Sequence, residues 1–353
     1  MSDSFVELAQ ATTEVLELRA ALDRTQKMLG KEKRRTGRIA EAAYRAAHEA
    51  ALARPVPKVP IPRADRRTAA GGPEVAVAWI SDLQLGKKTP DYDSDVCRER
   101  MGIYAKKVRE LVGIQRTARP IDTCHVWMTG DMVEGEDIFP GQTWLIDSSL
   151  YAQTVKNGPE ITAQFLMEML AEFREVHVTA VIGNHGRIGR KGMSHPETNT
   201  DRMLYDITRK MLSGEDRLTW NIPEPGNSGD RGWYAVDTIG NYSSLLVHGD
   251  QFRGSLGVPW YGIRKKVLGW KAMSADRNLA FPEFQDLAFG HWHQPITWTV
   301  NGIGIRGIGS PESRNDYAAE NFAGMSRPSQ RLLFVDPEAG QVTVEYPEIW
   351  LDG

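Results

Sequence analysis

Cysteine is nearly absent: Cys97 and Cys124 are the only two in 353 residues, and they form no C-x-x-C pair. That spacing excludes a disulfide framework and a zinc knuckle; both thiols are expected to stay reduced, Cys124 as strand filler. Long apolar runs are also missing. Nothing approaches the roughly 18 consecutive apolar residues that cross a bilayer. The start, Met1-Ser2-Asp3-Ser4-Phe5, has no basic segment leading into an apolar one. A cytoplasmic protein with no membrane partner is the expectation. With 41% apolar, 25% charged and 8% aromatic residues the composition is that of a packed globular chain, not a disordered one.

Between Ser4 and Arg54 proline is absent and glycine occurs only at Gly30 and Gly37, while Ala, Glu, Leu and Arg dominate. This predicts a helical arm over residues 1–54. Leu8, Val15, Leu22 and Leu29 recur every seven residues, the spacing of a coiled-coil stripe that would pair two copies of the chain, although the companion positions are mixed. The alternative is a helix lying on the body. The net charge of −3 hides an asymmetry: residues 1–70 carry 14 Lys and Arg against 9 Asp and Glu, leaving the remainder at −8. An acidic body suits a metal site built on carboxylates, and a basic arm can touch a polyanion. Pro55, Pro57, Pro60 and Pro62 alternate with other residues, which favours an extended linker over residues 55–72. The catalytic body is then 73–353.

Within that body, short β-type runs alternate at first with helical stretches. Strands are predicted at Val75 to Ile80, Thr123 to Met128 and Val176 to Ile182, with helices near Asp95 to Arg116, Leu150 to Arg174 and Asn199 to Leu212. The second half is rich in shorter strands, around Trp233 to Val236, Ser243 to Val247, Leu287 to Phe289, Thr297 to Val300, Ile303 to Arg306, Arg331 to Val335 and Val342 to Tyr346, with one helix near Pro259 to Lys271. The fold class expected is α/β, an α+β-type sandwich of two mixed β-sheets flanked by helices.

Polar phrases close the apolar runs: Ser81-Asp82-Leu83-Gln84, Gly130-Asp131-Met132-Val133-Glu134, Gly183-Asn184-His185-Gly186, Val247-His248-Gly249-Asp250 and Gly290-His291-Trp292-His293. Ligand crevices of open α/β sheets lie at the carboxyl ends of strands, so these phrases should meet in space. His291 and His293 can face one side because alternate residues of an extended chain do. A lone Gly-Asp is more often a turn, and a lone His more often a core or surface residue. Together, two Asp, an Asn and three His supply mixed oxygen and imidazole donors suited to Mn, Fe, Zn or Mg.

This ordered set, from Val75 to Ser310, resembles the calcineurin-like metallophosphoesterase superfamily. The resemblance implies two divalent metal ions. Asp82 and His293 would bind the first; Asn184, His248 and His291 the second; Asp131 would bridge both, and His185 would act as catalytic acid or transition-state stabiliser without ligating. It further implies in-line attack at phosphorus by a water that the paired metals acidify. Two positions depart from the pattern. Gln84 stands where the family usually has His, and its harder oxygen donor inclines the first site towards Mn or Mg. Gly186 replaces a frequent acidic residue and is followed by Arg187, Arg190 and Lys191, a basic loop that could hold phosphates or simply be solvated.

The tail Gly135-Glu136-Asp137-Ile138-Phe139-Pro140-Gly141-Gln142 is similar to the same stretch in the small exonuclease subunit of archaeal family-D DNA polymerases and in phage DNA repair exonuclease-like proteins. DNA is therefore the expected partner, with an ATPase or polymerase subunit as the protein partner such relatives imply. Trp260, Tyr261 and Trp270 interleave with Arg264, Lys265, Lys266 and Lys271, a mixture that can grip single-stranded DNA or be a helix with Trp inward and Lys outward. Trp292, Phe139 and Trp144 are further candidates for substrate contact. The expectation is a Mn-dependent DNA exonuclease or single-strand endonuclease. The alternatives are a phosphodiesterase or phosphatase for small substrates and a DNA-binding accessory subunit weakened at Gln84.

Overall fold

Alternation along each apolar run decides which layer each side chain joins. In the computed structural model, which describes residues 58–65, 72–189, 194–225, 231–254, 257–316 and 327–352 together with scattered residues elsewhere, the chain falls into two compact units, Met1–Glu49 and Ala50–Gly353. In the first, residues 17–28 are helical, and Val15 and Leu22 of the heptad stripe are exposed, as is Leu18 beside it. Leu8 and Leu29 lie outside the described residues.

The second unit contains, in chain order, β1 (Val75–Ile80), α1 (Ser94–Gln115), β2 (Thr123–Met128), α2 (Gly158–Glu172), β3 (Glu175–Ala180), α3 (Thr200–Met211), β4 (Leu218–Asn221), β5 (Tyr234–Ile239), β6 (Tyr242–Val247), α4 (Trp260–Ala275), β7 (Asp286–Phe289), β8 (Ile296–Val300), β9 (Ile303–Gly307), β10 (Ser329–Asp336) and β11 (Gln341–Trp350). One sheet has the order β11-β10-β1-β2-β3-β4, the other β5-β6-β7-β9-β8. Both are mixed: β1 to β4 run parallel and β10 and β11 antiparallel in the first, while β6, β7 and β9 run parallel between antiparallel β5 and β8 in the second. This is the sandwich of two mixed sheets flanked by helices.

The period of two is visible residue by residue. On β1, Ala76, Ala78 and Ile80 join the core under α1, α2 and α3, whereas Val77 and Trp79 face the second sheet. On β10, Leu332 and Phe334 follow the first set, Leu333 and Val335 the second. On β6, Leu246 points between the sheets, while Leu245 and Val247 pack under Ile263, Val267 and Trp270 of α4. The layers are therefore helix, sheet, sheet, helix.

A polar clasp built on Asp237 joins the sheets. Asp237 of β5 accepts hydrogen bonds from Trp127 Nε1 at 2.6 Å and Thr179 Oγ1 at 2.9 Å and pairs with His125 Nδ1 at 2.7 Å, all from the other sheet. Burial opposes its charge, but these donors win and hold its carboxyl below the usual carboxylate range. A depressed folded pKa contributes stability above the unfolded value that is lost as pH falls. Asp237→Ala is expected to cost about 3 kcal/mol at neutral pH and to narrow this gap below pH about 4, as read by thermal unfolding from pH 3 to 7. An equal deficit at every pH would assign the loss to packing alone.

Most element bounds shift by one or two residues from expectation. Two differences have physical causes. The helix foreseen from Leu150 to Arg174 is instead a π-helical turn, Ala152–Asn157, followed by α2. Pro159 at the first turn of α2 has no N–H to give and tolerates that position alone. The expected run missed β4, a four-residue edge strand in which only Leu218 is buried. The proline-rich residues 58–65 form no regular secondary structure and lie on the body: Val59 N donates to Glu215 Oε1 at 2.8 Å and Asp65 N to Asp122 Oδ1 at 3.0 Å. Cys97 and Cys124 are buried free thiols, and burial pushes them up to about 11 and about 12.

Candidate metal centre and adjoining cleft

Five residues of the polar phrases share an unusual backbone. Asp82, Gln84, Asp131, His291 and His293 have φ of 51°, 45°, 51°, 68° and 52°. Left-handed conformations cost non-glycine residues about 1–3 kcal/mol each and persist where surroundings over-determine them. Here main-chain bonds do so, Asp82 N to Gly130 O and Gln84 N to Asp131 O, both at 3.0 Å. Each strand end thereby turns its donor side chain towards the same point.

Asp131, His248 and His291 present ligand atoms all within 4.8 Å of one another. His248 Nε2 lies 3.0 Å from both Asp131 Oδ2 and Asn184 Oδ1, while its Nδ1 donates to Thr129 O at 2.7 Å. That second bond orients the ring and commits Nε2 to the cluster, the usual arrangement behind a ligating imidazole. Burial disfavours charge on His248, yet Asp131 raises it to about 10; His291, buried and facing His248, is lowered to about 4. Asp131 is held well below the usual range by His248 and His185 against the cost of burial.

Around Asp82 the donors converge as well. His293 Nε2 is 3.5 Å from Asp82 Oδ1 and 3.5 Å from Gln84 Nε2, and Gln84 Nε2 is 3.4 Å from Asp131 Oδ2. His293 Nδ1 is 3.3 Å from Glu312 Oε2, and Glu312 is in turn paired with Lys87 at 2.9 Å. Gln84 Oε1 is buried with no hydrogen-bond partner. The amide nitrogen is the atom that faces Asp131 and His293; a bare buried amide oxygen is costly, and turning the amide over would give that oxygen to a cation held by Asp82, Asp131 and His293. The residues present thus fit two divalent ions, with Gln84 offering oxygen. Gln84→His is expected to tighten zinc binding at this site on the order of tenfold, read by titrating metal-stripped protein. Weaker zinc binding in the variant would show that the amide is not facing the ion.

Several supporting residues were not foreseen from the sequence. Asp201, in the first turn of α3, accepts main-chain N–H groups from Asp131 at 2.9 Å, Met132 at 3.0 Å and Gly183 at 2.8 Å, tying two ligand phrases together. Burial and then Asp131 push its carboxyl up to about 6. Gln330 on β10 accepts from Ser81 N at 2.8 Å and donates to Gly309 O at 3.0 Å, bracing the Asp82 turn. A Cβ on Gly290 would sit 2.4 Å from Asp82 Oδ2, and one on Gly183 would fall 2.1 Å from Asp131 Oδ1. At Gly186 a Cβ would meet Asn199 Oδ1 at 2.5 Å, which accounts for the missing acidic residue. His185 is anchored by its main-chain N to Asp131 Oδ1 at 2.7 Å and by Nδ1 to Glu134 O at 2.8 Å. The loop beyond is pinned by Gln142 Nε2 to Glu134 O at 2.8 Å and Gln153 Oε1 from Gly135 N at 3.0 Å; Gln153 lies in the π-helical turn.

Next to Asn184 opens a cleft of about 1050 Å³. Arg187 and Tyr261 line it, as do Lys265 and Lys266 of α4. Arg264 is exposed on α4 and is not among the lining residues. Trp292 lies edge-on to His291 with its indole donating to Gly249 O at 3.3 Å, so it supports the His291 ring from outside the cleft lining. Arg190 and Lys191 lie outside the described residues. The basic aromatic segment divides: Trp270 is buried in the α4 core and Lys271 Nζ donates to Phe284 O, whereas Tyr261 is 78% exposed. Trp144 is 88% exposed in the loop after Asp131. Among the described residues no helix is long and apolar enough to cross a membrane.

No protein-family model matches the chain, and no curated protein does. Solved structures overlap with it at low scores. A conserved uncharacterized protein from Streptococcus pneumoniae TIGR4, described as a predicted phosphoesterase, is 14% identical with a TM-score of 0.30 over 74% of this chain and 83% of that one. An archaeal phosphodiesterase is 9% identical, TM-score 0.34, over 77% and 98%. Wild-type Vps29 from Entamoeba histolytica, complexed with zinc, is 17% identical, TM-score 0.33, over 73% and 84%. Similarities this low carry no inference about activity. The architecture itself, two mixed sheets between helices with the polar phrases at strand ends, is the one the pattern of strands and helices predicted.

Proposed function

We propose that this chain is a metal-dependent phosphodiesterase that hydrolyses DNA, as an exonuclease or single-strand endonuclease. The observation that carries the reading is the position of Asp131, whose one carboxylate lies within 3.4 Å of Gln84 Nε2 on one side and 3.0 Å of His248 Nε2 on the other. A carboxylate shared between two donor sets is what a paired-ion site needs. Two bound divalent ions would supply charge stabilisation at the phosphoryl oxygens and a water acidic enough to attack near neutral pH. Mn is the ion favoured by an oxygen-rich first site, with Mg, Fe or Zn as substitutes.

The chain's own groups do the rest. Asp82, Gln84 and His293 would hold the first ion, Asn184, His248 and His291 the second, with Asp131 common to both. His185 is fixed by Glu134 through Nδ1, which leaves Nε2 as the atom that would protonate the leaving oxygen. Arg187, tied by Nη1 to Asn184 O at 3.1 Å and by Nη2 to Ile138 O at 3.2 Å, stands beside a ligand and would contact substrate phosphate.

Incubation with end-labelled single- and double-stranded DNA in Mn, Mg, Zn or no divalent ion tests the reading. Cleavage that requires metal and is fastest in Mn is expected. Hydrolysis of bis-p-nitrophenyl phosphate with intact DNA would reassign the protein to small phosphodiesters, and DNA binding without turnover in any metal would make it an accessory subunit.

A further inference from the structure

The cleft beside Asn184, about 1050 Å³, lies at the upper end of the range of about 300–1,000 Å³ typical of a site for one small ligand. Its charge is also one-sided. Arg187, Arg231, Arg253, Lys265 and Lys266 line it, from four separate stretches of chain, against Asp250 as the one carboxylate among the described lining residues. Arg231, Arg253, Lys265 and Lys266 are exposed. Arg187 is held in place by the two main-chain carbonyls already described, and its buried Nε has no hydrogen-bond partner. An aromatic ring is present among these cations: Tyr261, 78% exposed, belongs to the lining. Trp233 and Trp270, which also line the cleft, pack against each other at 5.3 Å and give its floor an apolar wall.

A solvated basic face would explain lysines on α4 alone. It does not explain why arginines from the loops at 187, 231 and 253 meet those lysines around one concavity, nor why that concavity ends at Asn184. A spread of cations with an exposed aromatic is the arrangement that binds single-stranded nucleic acid, cations tracking the backbone and the ring stacking a base. A small phosphoester needs one or two of these cations at most.

Resting on the phosphodiesterase reading above, we infer that this cleft is a binding groove for single-stranded DNA that leads the strand to the metal ligands at Asn184, with Tyr261 stacking a base and Lys265, Lys266 and Arg253 holding phosphates. Because stacking needs an unpaired base, the groove discriminates against duplex.

Binding is measured on the full chain in EDTA, so that no turnover intervenes, by fluorescence anisotropy with a labelled oligothymidylate and with a duplex of equal length across a salt series. The wild type is expected to prefer the single strand. Tyr261→Ala should weaken that binding about tenfold. Lys265→Ala with Lys266→Ala should reduce the slope of log affinity against log salt by about 0.7 for each lysine. Lys106→Ala, a 70% exposed lysine on α1, should leave both values unchanged. Circular dichroism checks that each variant is folded. Undiminished single-strand binding in the folded Tyr261 and lysine variants, in a protein that still cleaves DNA, overturns the groove and leaves the activity standing. A protein that hydrolyses bis-p-nitrophenyl phosphate but neither binds nor cuts DNA overturns the nucleic-acid reading together with the groove.

Discussion

Asp131→Ala is expected to lower phosphodiester hydrolysis by about three orders of magnitude or more, equivalent to roughly 4 kcal/mol of transition-state stabilisation. The size follows from the number of roles one side chain holds. Its Oδ2 faces both Gln84 and His248, and its Oδ1 accepts the His185 main-chain N–H at 2.7 Å. Truncation therefore empties the space between the two donor sets and frees the phrase that carries His185. Turnover of bis-p-nitrophenyl phosphate in Mn, compared with metal content per chain, reads both consequences. His185→Ala provides the contrast: a similar loss of turnover with metal content retained, since its ring hydrogen bond goes to a carbonyl. An Asp131→Ala protein keeping a tenth of wild-type activity would rule out the shared carboxylate.

Asp201→Ala is the second large effect, and it should appear first in stability. Four main-chain N–H groups, those of Asp131, Met132, Val133 and Gly183, would lose a buried acceptor at once. Each unsatisfied group costs about 1–3 kcal/mol, and since the losses share one cavity they do not simply add. A total near 4 kcal/mol corresponds to a fall in Tm of about 10 °C for a unit of this size. Metal affinity should fall about 10–100-fold as well, because Asp131 and Asn184 flank the released backbone. Asp201→Asn keeps one acceptor oxygen and should lie between. A variant with wild-type Tm and wild-type metal affinity would mean that other bonds, such as Asn199 Nδ2 to Gly183 O at 3.1 Å, suffice to hold the two phrases.

Most strands and the ligand phrases were legible because their signals are local. A run such as Val75 to Ile80 announces a strand by itself, and alternation assigns its two faces without reference to any partner. Asp82, Asp131, Asn184, His248, His291 and His293 stand out for the same reason, each closing an apolar run. The supporting residues left no such trace. Asp201 reads as an ordinary acidic residue in the first turn of a helix, and Gln330 as a polar residue in a strand whose partner, Ser81, is 249 positions away. Gln84 looked like a weakened ligand in the sequence; its surroundings show a buried side chain whose amide nitrogen faces Asp131 and His293 and whose oxygen has no partner.

What the sequence by itself determined is thus the alternation that builds two sheets and the order of donors at their ends. Only the tertiary structure decided which of the basic and aromatic residues belong to one surface. Trp270 became the buried floor of the cleft, Lys271 went to a carbonyl, Arg264 fell outside the cleft, and Arg231 and Arg253 joined it. The reason is physical. Side-chain alternation depends on neighbours one and two residues away, whereas a cleft is made by loops and a helix brought together through the packing of both sheets.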